Sequence, residues 1–114
     1  MKYLKLFEYF DDDFEPLEEE EYGDFYEWLL KKYPDQSSWK DIKEIDCSNS
    51  NLYDLDGIEF LTNLTNLYCY DNQLTDLDLS KNVNLTCLYC SHNQLTNKNE
   101  IRKLCKKRKI NLNI

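Results

Sequence analysis

Apolar residues recur at a fixed beat along the second half of this chain. Leu64, Leu67, Cys69 and Leu74 return 21 residues later as Leu85, Leu88, Cys90 and Leu95. A weaker set, Ile42, Ile45, Cys47 and Leu52, stands 22 residues upstream of the first. Leu67/Cys69 and Leu88/Cys90 alternate with polar or aromatic residues, the period-two pattern of a short, half-buried strand. Strands this far apart need a crossover connection, and parallel neighbours result. One such unit cannot bury its apolar edge alone, so a period in this range predicts a stacked solenoid. The inward ladders are then Ile42/Leu64/Leu85, Ile45/Leu67/Leu88, Cys47/Cys69/Cys90 and Leu52/Leu74/Leu95. Asn72 and Asn93 fall where the chain bends past each strand, and their amides are expected to bond backbone groups that the bend leaves unpaired.

The pattern changes toward both ends. Tyr22, Phe25, Tyr26, Leu29, Leu30 and Tyr33 follow helical spacing, which predicts an amphipathic helix over residues 14–33. Pro16 suits its first position, Glu18 to Glu21 its positive end, and Lys31 and Lys32 its negative end. Gly23 weakens it, and Pro34 stops it. Its apolar face is expected to cover the first repeat, with Trp39 in the slot that Leu61 fills one repeat later. Residues 2–10 are apolar enough for a strand or a docked arm, without a definite place. At the other end, Ile101, Leu104 and Cys105 predict a helix over residues 99–107. Ile110, Leu112 and Ile114 then alternate with Lys109, Asn111 and Asn113 as a fourth strand, with Ile110 aligned on Leu88 and Leu112 on Cys90. The expected organisation is one structural domain: an arm and helical cap (1–38), repeats (39–96), and a capping helix with a last strand (97–114).

The spacing L-x-x-L-x-L-x-x-N-x-L in Leu64–Leu74 and Leu85–Leu95 resembles the leucine-rich repeat, with Cys69 and Cys90 replacing the third leucine. Leu52, Leu55, Ile58, Leu61 and Leu64 resemble the internalin type. Leu74 to Asn82 is similar to the short bacterial type, also met in large viruses. The likeness runs from Trp39 to Thr96, and Ser50 departs from it where the family has Asn. It implies an α/β solenoid of about four parallel strands and a binding scaffold, and it carries over no catalytic residue.

Charge modifies this picture. Residues 1–46 carry a net −9, residues 47–96 a net −5 and residues 97–114 a net +6, giving −8 in all. So acidic a chain does not seek nucleic acid directly, because phosphate attraction dominates such binding. The basic tail from Arg102 to Lys109 reads first as a solvated helix face with cations near a helix C-terminus. No membrane-spanning run or signal peptide is expected, since Lys2 and Lys5 lead into three aspartates rather than an apolar stretch. Met1 leads to the expectation of a whole gene product. Five cysteines, three of them inward, fit a reducing compartment, so the expected location is the cytoplasm, or the host cytoplasm for a viral chain. The absence of Ala beside twelve Asn and twelve Lys points to an AT-rich genome, bacterial or viral.

The candidate binding residues are the outward strand positions: Glu44 and Asp46, Asn66, Tyr68 and Tyr70, and Cys87, Tyr89 and Ser91. Ser48 and the last-strand residues Lys109, Asn111 and Asn113 extend them. The face is expected to run acidic, aromatic, then basic. Tyrosine offers large contact area and a hydrogen-bonding tip at low entropic cost, although cross-strand tyrosines also stabilise a small sheet on their own. No metal site or cofactor is expected. Ladder cysteines point in parallel about 4.8 Å apart, whereas zinc needs converging ligands, and disulfides need facing Cβ vectors. Catalytic inventory is poor: one histidine, His92, no nucleophile motif, and two glycines. The expected function is a non-enzymatic protein-binding module, monomeric, for a partner with a basic surface. Two alternatives stand beside it. One is an acidic inhibitor that mimics nucleic acid, as in viral counter-defence, using carboxylates of residues 8–27. The other is head-to-tail self-assembly of acidic and basic ends.

Overall fold

The computed structural model describes residues 24–114. The arm at residues 2–10, Pro16, the acidic run Glu18 to Glu21, Tyr22 and Gly23 lie outside the described residues. In chain order the elements are α1 (Phe25–Lys32), a 3-10 segment (Gln36–Asp41), β1 (Glu44–Asp46), a second 3-10 segment (Ile58–Phe60), β2 (Asn66–Tyr68), β3 (Cys87–Tyr89), α2 (Lys98–Arg108) and β4 (Asn111–Asn113). The strands form one parallel sheet in the order β1-β2-β3-β4, one strand per turn of a solenoid.

The ladders follow the period. Ile45 pairs with Leu67, and Leu67 with Leu88. All three are fully buried, as are Cys47 and Cys69, and Cys90 is nearly so. Between strands the chain returns along a second wall, Leu55, Ile58 and Leu61 in the first turn and Leu77 and Leu79 in the second, all buried. Gly57 starts the 3-10 segment there with φ 111°, a conformation that side chains other than glycine's avoid. A Cβ on it would also meet Tyr26, Leu29 and Phe25 of α1.

Asparagines lock each turn to the one before. Asn72 accepts from the N–H groups of Ser50 and Leu52 at 3.0 Å and donates to the carbonyls of Cys47, Cys69 and Tyr70. Asn93 repeats the motif, accepting from Leu74 N–H and donating to Cys69, Cys90 and Ser91. Both amides thus fill the role expected of them. Ser50, which departs from the pattern, sits on the first described strand turn. It has no earlier described strand turn to bridge, and its hydroxyl donates to Ser48 O instead. Asn82 is fully buried on the return wall and donates to Ile58 O and Leu61 O.

Two boundaries differ from expectation. α1 begins at Phe25 and not near Pro16: Asp24 is extended, and its carboxylate accepts from Tyr26 N–H at 2.9 Å as an N-cap. Its buried face is Phe25, Trp28 and Leu29. Trp28 was not among the spaced apolar positions, yet it stacks on Phe25 with centroids 5.6 Å apart. Trp39 is buried at the predicted slot, donates to Tyr33 O at 2.8 Å and meets Tyr26 edge to face.

The second difference is the register of β4. Leu88 pairs with Leu112, not with Ile110, so this turn is 24 residues rather than 22. The return segment here is a full helix, α2, and Lys109 ends it in the left-handed region at φ 59°. Helix and cap make this turn two residues longer than the first and three longer than the second, and two longer than the expected spacing. Because the slip is two and not one, inward and outward faces are preserved.

Candidate functional site

The outward side chains of the strands form a grid. One row is Glu44, Asn66, Cys87 and Asn111; the next is Asp46, Tyr68, Tyr89 and Asn113. Ser48, Tyr70 and Ser91 continue it just past the strands, where Asn49 N–H donates to Tyr70 O and Asp71 N–H to Ser91 O. All eight candidate residues lie on this face. Glu44 and Asp46 are exposed, and Asn66, Tyr68, Tyr70, Cys87, Tyr89 and Ser91 are half-buried.

Tyr68 and Tyr89 are the centre of the grid. Their centroids stand 5.3 Å apart with planes at 84°, an edge-to-face pair. Asn66 Nδ2 donates to Tyr68 Oη at 3.2 Å, and Thr65 Oγ1 donates to Asn66 Oδ1. This chain of bonds fixes the phenol from below. Asp46 is less free than Glu44: its carboxylate accepts from both the N–H and the hydroxyl of Ser48. The last strand corrects the expected charge order. Lys109 is a helix cap rather than a member of the face, so the face runs from acid through aromatic to amide, with Asn111 and Asn113 at the far side. A longer helical return was the signal that would have revealed this.

Behind the face the cysteine column is inert. Burial pushes the thiols of Cys47 and Cys90 up to about 12, with the charge of Asp46 adding to the first and the neighbouring Cys105 to the second. Cys69 is pushed well up by burial and by its neighbours Cys47 and Cys90. All five cysteines are free thiols. No group of three or more His, Cys, Asp or Glu side chains among the described residues is placed to hold a metal ion. His92 is exposed on a bend with φ 58°. No helix among the described residues is long and apolar enough to cross a membrane.

Elsewhere, Tyr26, Trp39 and Phe60 line a shallow groove of about 410 Å³ beside α1. Asp54, Asp56, Asp76 and Asp78 border another on the return wall, with Lys81.

No family model matches the chain. A 41-residue stretch, 36% of the chain, is 54% identical to internalin J of Listeria monocytogenes serotype 4b (strain F2365). Among solved structures, the functional domain of InlJ from Listeria monocytogenes, described as including a cysteine ladder, matches 54% of the chain at 48% identity with a TM-score of 0.53. The chain spans only 4% of the first relative's length and 14% of the second's.

Proposed function

We propose that this internalin-like leucine-rich-repeat protein is a non-enzymatic protein-binding module that holds its partner on the strand face, with Tyr68, Tyr70 and Tyr89 as anchors. Repeats of this class serve in general as protein-interaction scaffolds, because stacking leaves one continuous face for a partner. The supporting observation is the Tyr68–Tyr89 pair: two half-buried aromatic rings, prepositioned side by side on the outward face. Prepositioned tyrosines lose little entropy on binding, and such residues dominate interface energetics. Glu44, exposed at the edge of the grid, steers a basic partner, with Asp46 beside it.

The proposed setting is the cytoplasm, or a host's cytoplasm, and the five free thiols support it.

The test is affinity capture from the native host with wild type and with a Tyr68→Ala/Tyr89→Ala variant. Loss of a specific partner by the folded variant is the expected result. Equal capture by the two proteins rejects the face. The acidic-mimic alternative draws on carboxylates of residues 8–27, of which Asp24 and Glu27 are among the described residues. It separates cleanly by salt: groove mimicry weakens steeply with ionic strength, whereas aromatic anchoring does not.

A further inference from the structure

The outward chemistry of the sheet is sorted by strand. β1 presents Glu44 and Asp46, β2 and β3 present the Tyr68–Tyr89 pair, and β4 presents Asn111 and Asn113. One row, Asp46, Tyr68, Tyr89 and Asn113, carries all three kinds in order. Its two ends are exposed, and the tyrosines between them are half-buried and paired edge to face. The outward positions of the four strands hold two carboxylates and no base. Both bonds from Ser48 go to Asp46 Oδ1, so Oδ2 has no partner among the described residues. A segment running along β1 meets only acid, and one along β4 only amide. A segment crossing the strands meets all three kinds.

Spacing selects the shape of that segment. Neighbouring strands lie about 4.8 Å apart, so the Tyr68–Tyr89 midpoint stands about 7 Å from the Asp46 position and Asn113 about 7 Å beyond the midpoint. Side chains on one side of an extended chain recur about every 7 Å. The step of such a chain therefore matches the step of the face. A helix repeats its contacts every four residues, about 6 Å, and falls about 2 Å short by the third. A phosphate backbone is repelled by Glu44 and Asp46.

We infer that this row reads an extended segment of another protein that carries Arg, a large apolar residue two positions away, and an amide residue two positions beyond that. The guanidinium bonds Asp46 Oδ2 and stacks against the Tyr68 ring, which a lysine ammonium does not do in the same planar way. The apolar side chain covers the tyrosine pair, and the amide exchanges donor and acceptor with Asn113. Glu44 adds to the field that draws the cation to β1. This rests on the tyrosine face being the partner's seat, and it adds the order and spacing of the groups taken there.

The probe is a blocked, fluorescent heptapeptide, Ser-Arg-Ser-Phe-Ser-Asn-Ser, titrated against the full chain by anisotropy. One comparator has the same composition with Arg beside Phe, one has Glu in place of Arg, and one is a helical peptide with the three groups four residues apart. Saturable binding of the spaced peptide is expected, about tenfold or more weaker with Arg beside Phe, and none with Glu. Asp46→Lys should lose the Arg peptide and gain the Glu peptide, an exchange that a misfolded variant does not show. No binding of the spaced peptide, equal binding of the adjacent one, or tighter binding of the helical one overturns the inference. So does tighter binding of a DNA duplex, or a dimer by light scattering that Tyr68→Ala/Tyr89→Ala dissolves. If Tyr68→Ala/Tyr89→Ala loses the captured partner while spaced and adjacent peptides bind alike, the face stands and only the order falls. If that variant keeps its partner, both fall.

Discussion

The edge of one tyrosine meets the face of the other at Tyr68 and Tyr89, 5.3 Å apart across the β2–β3 ladder. The pair does two things at once: it ties two turns together, and it holds both phenols ready on the surface. Such a contact is worth about 0.5–1.5 kcal/mol beyond its buried area. A double-mutant cycle in urea with Tyr68→Ala and Tyr89→Ala should return a coupling in that range. Tyr68→Phe, which loses the bond from Asn66, should cost under about 1 kcal/mol. A coupling indistinguishable from zero would mean that the rings serve only a partner.

Asn72 makes five bonds, and its removal strands several of their partners in the core. Asn72→Ala leaves Leu52 N–H and the carbonyl of Cys47 without this amide, whereas Cys69 O keeps the bond from Asn93. At about 1–3 kcal/mol for each buried group left unsatisfied, the loss should be about 2 kcal/mol or more, a large share of a small domain's usual 5–15 kcal/mol. Ser50→Ala, at the equivalent place one turn earlier, removes one bond to Ser48 O and should cost under about 1 kcal/mol. Urea midpoints of the two variants check the ranking. Similar midpoints would remove the asparagine from its place as the lock between turns.

Lys109 stands at φ 59° as the cap that ends α2. Its N–H donates to Lys106 O at 3.4 Å, and its left-handed backbone sets the register of β4. A residue with a Cβ is strained there, and glycine is not. Lys109→Gly should therefore raise stability by up to about 1 kcal/mol, and Lys109→Val should lower it. Thermal melts of both variants read the sign directly. A destabilising Lys109→Gly would show that the lysine side chain supports the cap.

The same residue marks where the sequence stops being legible. The ladder of Ile45, Leu67 and Leu88 was readable because two returns of nearly equal length keep it in step. Once α2 replaced an extended return, the count changed by two, and only the structure shows Asn113 beside Tyr89. Tyr68, Tyr70 and Tyr89 are assignable to the outward face because they alternate with the buried Leu67, Cys69, Leu88 and Cys90, and Asn111 and Asn113 keep that face because the slip of β4 is even. The start of α1 was not assignable. Pro16 and the glutamates after it carry strong helix-start chemistry, but Asp24 carries the cap that α1 uses. Trp28 escaped because it lies on the flank of the apolar stripe, where Lys32 covers its ring at 5.7 Å. What binds the face is a property of the partner, and periodicity does not encode it.

The cysteine column makes the fold sensitive to alkali. In the unfolded chain a thiol ionises near its ordinary value of 9.0, while burial holds folded Cys47 at about 12. Below pH 9 both states keep the proton, so stability is unaffected. Above it the unfolded state loses the proton first, and stability falls until the folded thiol also ionises near 12. At pH 10 this costs about 1.4 kcal/mol for Cys47. Cys69 and Cys90, raised for the same reason, act in the same direction. Urea unfolding at pH 7.5 and pH 10 should therefore show a marked loss in the wild type and a smaller one in Cys47→Ala. Thiol titration of the native protein should label Cys87 first, because it alone of the five cysteines is half-buried rather than buried. Rapid labelling of all five at neutral pH would show that the column opens far more readily than a packed core permits.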